Sequence, residues 1–195
     1  VLSKLLRRTH LYLALFLGPW ILMYAVSTFV MNHRAWFRGE PAPPPRWETV
    51  SSSTYSGEFP PEADRAMMAQ QILAGLGLDG AHSPSLRDGK LVIQRFDAVR
   101  PLRITYTLAD KHLLVERQLW DGAAFLERMH RRRGFQHPYA LDDIWASSVD
   151  LFWIAVLFWS LSGLWLWWEL KTTRRLGALF LIGGIAVFGL FLAVL

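Results

Sequence analysis

Histidine is the side chain in this sequence best suited to metal or redox chemistry, and four of the six histidines stand near the ends of long apolar segments. The stretch "LERMHRRRGFQHPYALDDIW" places His130 and His137 on either side of Arg131, Arg132 and Arg133, and His33 with Arg34 follows "LYLALFLGPWILMYAVSTFVMN". Two neutral imidazoles from two chain segments are what a low-spin b-type haem iron requires. Guanidinium groups beside them could hold the two haem propionates through bidentate hydrogen bonds. The same residue types also suit a plainer role, in which the arginines bind lipid phosphates at a bilayer edge and His137, before Pro138, closes a turn. Residue types alone leave both open.

His10 stands apart. On a continuous helix rising ~1.5 Å per residue, it lies about 34 Å from His33, so the two occupy opposite faces of a membrane and cannot share one metal. Within a single chain His10 reads as an interfacial anchor, and as a ligand only where a second imidazole arrives, for example in a homodimer. The absence of cysteine excludes thiolate-ligated clusters, thiolate haem ligation, covalent haem attachment and disulfides, but leaves b-type haem open. Asp142 and Asp143 precede Trp145 where acids favour a helix start, and Asp150 lies about one turn inside an apolar segment. No nucleophile–base constellation, phosphate loop or zinc spacing is present, so neither a hydrolase nor a transferase is expected.

The elements that must position these groups are mainly membrane spans. A hydrophobic content of 52%, with ten Trp and twelve Phe, points to a membrane protein. Residues 11–32 and 176–195 carry no charge, and 147–168 carries only Asp150, each long enough for a hydrocarbon core about 30 Å thick. Three transmembrane helices are expected, the first an uncleaved anchor because its apolar run is too long for a signal peptide. Gly18-Pro19 predicts a kink in that helix. Gly183, Gly184, Gly189 and Ala193 give the third a small-residue face for a membrane partner or a second copy.

The net charge of +5 is a topology signal. Residues 1–9 contribute +3 through Lys4, Arg7 and Arg8, and 169–175 contribute +2, which accounts for the whole excess. Both flank membrane segments on what should be the same, cytoplasmic side. The segment between the first two spans is then outside, periplasmic in a bacterial inner membrane, and no basic stripe suits nucleic acid.

The outer segment divides in two. Residues 33–59 are rich in Pro and Ser and read as an extended linker. Residues 60–146 read as a helix in "PPEADRAMMAQQILAGLGLDG" followed by antiparallel strands in "KLVIQRFD", "RPLRITYTLAD" and "HLLVERQL". The expected order is a cytoplasmic N-terminus (1–10), span one (11–32), linker (33–59), outer α+β domain and pre-helix segment (60–146), span two (147–168), cytoplasmic loop (169–175) and span three (176–195).

Taken in order, "RRTHLYLALFLGPWILMYAVSTFVM", "DGKLVI", "MHRRRGF" and "LFWIAVLFWSLSGLWLWWELK" resemble the PepSY-associated transmembrane family, over about residues 4–175. In that family a His opens the first span, an "LH" or "MH" pair precedes the second, and an "LSGLWLWW"-like end closes it. The resemblance implies a small PepSY-like α+β domain outside three membrane helices. It implies a haem-binding electron-transfer protein linked to reduction of ferric siderophores or other external iron complexes. His33 with His130 is the preferred iron pair, since "MH" matches the family position, with His137 and His10 as further candidates and Arg131, Arg132 and Arg133 on the propionates. PepSY modules also resemble inhibitory propeptides of peptidases, which implies the alternative of a non-enzymatic subunit that docks a partner or regulates a peptidase. Larger members have four or more spans and duplicated outer domains, which this sequence lacks.

Overall fold

The computed structural model describes residues 2–132 and 134–195. The elements are α1 (Leu2–Asn32), α2 (Arg34–Arg38), β1 (Trp47–Thr54), α3 (Arg65–Gly75), β2 (His82–Arg87), β3 (Lys90–Arg95), β4 (Leu102–Thr107), β5 (His112–Gln118), α4 (Gly122–Arg131), α5 (Ala140–Glu169) and α6 (Arg174–Val194). They form two compact units, one of Leu22–Ser148 and one of the chain up to Ile21 with Val149–Leu195.

In the first unit the strands make one antiparallel sheet in the order β1-β5-β4-β3-β2. Strands β2 to β5 follow one another as a meander. Arg87 pairs with Lys90 across an Asp88-Gly89 turn in which both residues have positive φ, 50° and 69°. That twist matches the flanking strands, and only a residue without a Cβ takes the second position at no steric cost. Alternation does the rest: Leu91 and Ile93 of β3, Ile104 and Tyr106 of β4, and Leu113 and Val115 of β5 turn to one face. Met68, Ala69, Ile72 and Leu73 of α3 close that face. The Asp64 carboxylate accepts from the Met67 amide at 2.8 Å and starts α3, a cap worth about 1 kcal/mol.

Four elements of this unit depart from the expected layout: α2 and β1 inside the expected linker, β2 and α4. Strand β1 lies inside the expected linker, paired along β5 with a bulge at Val50. Nearly all its side chains are exposed, so backbone hydrogen bonds rather than apolar burial hold it at the sheet edge. Its ends are pinned by Trp47, which lies 4.4 Å under the Arg103 guanidinium, and by Tyr55, stacked on Phe59 and edge-on to Tyr106. Helix α4 starts at an Asp121 cap that accepts from the Ala124 amide at 3.0 Å. It is tied to α2 by Arg38–Asp121 at 3.1 Å and by Glu127, which Arg34 and Arg38 each approach at 3.8 Å.

The second unit is helical. Leu17 of α1 and Phe152 and Ala155 of α5 are buried, and Trp20 stacks on Phe152 with ring centroids 5.6 Å apart. Glu169 accepts from Ser3 at 2.7 Å and from the Trp165 indole at 3.2 Å. Helix α6 buries none of its side chains. Helices α1, α5 and α6 are each long and apolar enough to cross a membrane. They exceed the expected spans at their polar ends, with α1 beginning at Leu2 and α5 at Ala140, because helical hydrogen bonding does not stop where the apolar run does. Helix α1 also continues through Pro19.

Candidate functional site

His10 and His130 have the same local arrangement. In the sheet-bearing unit, His130 Nδ1 lies 2.8 Å from the Ser27 hydroxyl oxygen, and that hydroxyl donates to the Tyr24 carbonyl at 3.0 Å. The hydroxyl has one proton and two acceptors in reach; with that proton on the carbonyl, the imidazole donates from Nδ1 and Nε2 keeps its lone pair. Ser27 is fully buried, and Tyr24 meets the ring edge-on at 5.3 Å. In the helical unit, His10 Nδ1 lies 2.8 Å from the Ser162 hydroxyl, which donates to the Trp159 carbonyl at 2.8 Å. With the Ser162 proton on that carbonyl, Nε2 of His10 is left as the acceptor. Its ring stacks on Trp159 at 5.3 Å, and a Cβ on Gly163 would come within 3.2 Å of the ring carbon Cε1. The "LSG" of span two therefore supplies both a hydroxyl for His10 and the space for it.

His33 is placed differently. Its ring stacks on Trp36 at 4.1 Å and meets Phe29 at 4.6 Å. The Ser27 that holds His130 precedes His33 by six positions, about 9 Å along a helix axis and about a third of a turn around it. The two rings thus have separate sets of neighbours. As a test of haem fit, the donor chemistry of His130 and His10 suits an axial ligand, since ligating imidazoles present one nitrogen and give the other N–H to a fixed acceptor. Among the described residues, no second imidazole is in ring contact or hydrogen bond with either.

His137 belongs with the arginines. A cavity of about 600 Å³ in the sheet-bearing unit is lined by Arg34, Arg38, Arg128, Arg131, Arg132 and His137. Arg131 pairs with Glu127 at 3.3 Å, and Arg132 pairs with Asp142 of the first turn of α5. His137 Nδ1 is 3.6 Å from the other Asp142 oxygen, and its ring meets Phe96 at 5.0 Å. Arg133 lies outside the described residues. Asp142 thus serves two roles, at the helix start as expected and as the counter-charge of the cavity.

Arg38, Arg128, Ser27 and Ser162 were not singled out by sequence. Arg38 carried a faint signal, four positions after Arg34 on one helix face; the serines carried none. The remaining histidines are structural: His82 Nδ1 contacts the Gly80 carbonyl at 3.0 Å, and His112 Nε2 contacts the Ser52 hydroxyl at 2.9 Å. Asp150 is exposed on α5. Comparison with family models, with curated proteins and with solved structures finds no match to this chain.

Proposed function

We propose that the chain is a PepSY-like integral membrane protein of the bacterial inner membrane, with its sheet domain in the periplasm, and that it binds b-type haem and passes electrons to an external ferric complex of the siderophore class. The observation that carries this is the repeated serine–imidazole pair, which, with each hydroxyl proton on its helix carbonyl, leaves Nε2 of His130 and of His10 as lone-pair donors. Haem, when bound, supplies a one-electron couple. The protein's own part is to hold the ring orientation: Ser27 and Ser162 fix the tautomer, while Tyr24 and Trp159 restrict rotation of the imidazoles. Full-length protein purified after expression with haem supplied should show a Soret band lost in His130→Ala or His10→Ala. Split α and β bands would report two imidazoles on the iron, and their loss in His33→Ala would name the second. A folded protein without a Soret band rejects the proposal.

A second reading, a binding subunit of a larger membrane complex, is favoured by α6, which buries no side chain within the chain. Isolation in mild detergent should then yield a stoichiometric partner or a homo-oligomer. A lone monomer that binds haem would reject it.

A further inference from the structure

The cavity of the sheet-bearing unit holds more positive charge than the described residues beside it neutralise. Five guanidinium groups line it, against the carboxylates of Asp97, Glu127 and Asp142 and, behind Arg38 at 3.1 Å, that of Asp121. Glu127 is shared among three of them, with Arg131 at 3.3 Å and Arg34 and Arg38 at 3.8 Å. Asp142 is taken by Arg132. Asp97 accepts from the Val99 amide at 2.8 Å and the Arg100 amide at 3.0 Å and faces Arg95, outside the lining, at 3.6 Å, while Arg132 and Arg128 act on it from further off.

Arg128 is the clearest case. Among the described residues its guanidinium donates to neutral acceptors: the Ala98 carbonyl at 3.4 Å, the Gln118 side-chain oxygen at 3.3 Å and the Val99 carbonyl at 3.3 Å. Burial works against its charge and outweighs the rest: Asp121, Asp97 and Glu127 favour it from a distance, and Arg38 opposes it. Arg38 has a side chain only 10% exposed; it pairs with Asp121 at 3.1 Å, but its Nε is enclosed without a hydrogen-bond partner, as is His137 Nδ1. Enclosed cations short of counter-charge are costly, and a matching anion removes that cost. Forked guanidinium donors select planar or tetrahedral oxyanions over halide.

We propose that this cavity is a binding site for a small molecule carrying two or more anionic oxygens, as in a phosphate ester, supplied either as a soluble compound or as a lipid headgroup. The volume admits a ligand of ordinary metabolite or drug size. The site needs neither His10 nor His130, so it stands or falls separately from haem binding.

The test is titration calorimetry on the full chain in uncharged detergent. Two probes separate the sources: inorganic pyrophosphate for a soluble ligand and dihexanoyl-phosphatidylglycerol for a headgroup, with dihexanoyl-phosphatidylcholine as the zwitterionic control. Saturable binding of either anionic probe is expected, weakened at least tenfold in Arg34→Gln and in Arg131→Gln, and weakened by added salt. Both variants lie at exposed positions, so they keep the test intact if Arg128→Gln fails to fold. Arg65→Gln, exposed on α3, removes the same charge elsewhere and should leave binding unchanged. Saturation by pyrophosphate assigns a soluble ligand, and saturation by the glycerol lipid alone assigns a headgroup. The proposal is overturned if neither probe saturates, if the phosphatidylcholine control binds as tightly as the anionic probes, or if Arg34→Gln and Arg131→Gln bind like the parent.

Discussion

Replacing Ser27 with Ala is the most direct probe of how His130 is held. The change removes one oxygen from a fully buried position, and with it both the donor to the Tyr24 carbonyl at 3.0 Å and the acceptor for His130 Nδ1–H at 2.8 Å. The carbonyl keeps its helical bond, so its loss is small. The imidazole N–H, part-buried and without its acceptor, carries the larger cost of roughly 1–3 kcal/mol for an orphaned donor. Polar pairs within membrane helices average nearer ~0.6 kcal/mol because the unfolded chain also finds partners there. We therefore expect Ser27→Ala to cost about 1–2 kcal/mol, with most of it absent when the same change is made in a His130→Ala background. The assay is a double-mutant cycle by detergent-resolved unfolding, paired with nitrogen NMR of the labelled imidazole. The parent should show His130 protonated on Nδ1, and Ser27→Ala should show a mixture of tautomers. A coupling energy indistinguishable from zero, or an unaltered tautomer in Ser27→Ala, would refute the assignment of the Nε2 lone pair.

Gly163→Val should separate His10 from Ser162 and Trp159, because even one methyl comes within 3.2 Å of the ring; a loss of about 1–3 kcal/mol and a changed His10 tautomer are expected. Ile104→Ala, in the middle of the sheet at zero exposure, should cost about 2–5 kcal/mol in the unfolding of the sheet domain. The Asp97 carboxyl is held below the usual aspartate range: burial alone would raise it, but the Arg100 and Val99 amides and the charges of Arg95 and Arg132 outweigh that. Its stabilisation is complete above the unfolded aspartate value, about 4, and is lost as pH falls through the lower folded value. Thermal unfolding of Asp97→Asn against the parent should therefore differ at neutral pH and converge at acid pH; a gap that persists unchanged to the lowest pH contradicts this. For topology, Ser52→Cys in intact cells should react with an impermeant maleimide and Thr172→Cys should not; the opposite result would invert the orientation.

The apolar helices were legible because nothing but membrane or a large core accommodates twenty uncharged residues in a row, and α1, α5 and α6 fall on those runs. Strands β3, β4 and β5 were legible because alternate burial leaves a period of two. Strand β1 was not, since "WETVSSST" buries almost nothing and its only support is the ladder to β5, which has no local trace. Helix α4 was hidden differently: the Asp121 cap and the amphipathic "GAAFLERMHR" were present, but the arginine run drew the segment toward a bilayer anchor. At the site, the residue types were visible and their partners were not. Arg131 and Arg132 could be named as anion binders, yet Arg38 and Arg128 become cavity residues only once α2 and α4 are paired through Glu127 and Asp121.

The serines carry this point furthest. A lone serine in an apolar helix has several local outcomes, the commonest being a bond back to its own helix carbonyl, and both Ser27 and Ser162 make that bond. The local bond does not compete with the long-range one but determines its direction. When the hydroxyl proton goes to the carbonyl three residues earlier, the helix converts a group that could donate or accept into an acceptor alone. The histidine that arrives, 103 positions later for Ser27 and 152 positions earlier for Ser162, is then assigned a tautomer by a bond it does not itself make. The device predicts an asymmetry between substitutions. Threonine, which also back-bonds within helices, should preserve the Nε2 lone pair at either position wherever its methyl group fits. Asparagine, whose amide can turn to donate, should allow the proton to move to Nε2. The same nitrogen NMR measurement decides between these, and equal tautomer populations in the Ser162→Thr and Ser162→Asn variants would show that packing on Trp159, and not the hydroxyl, orients His10.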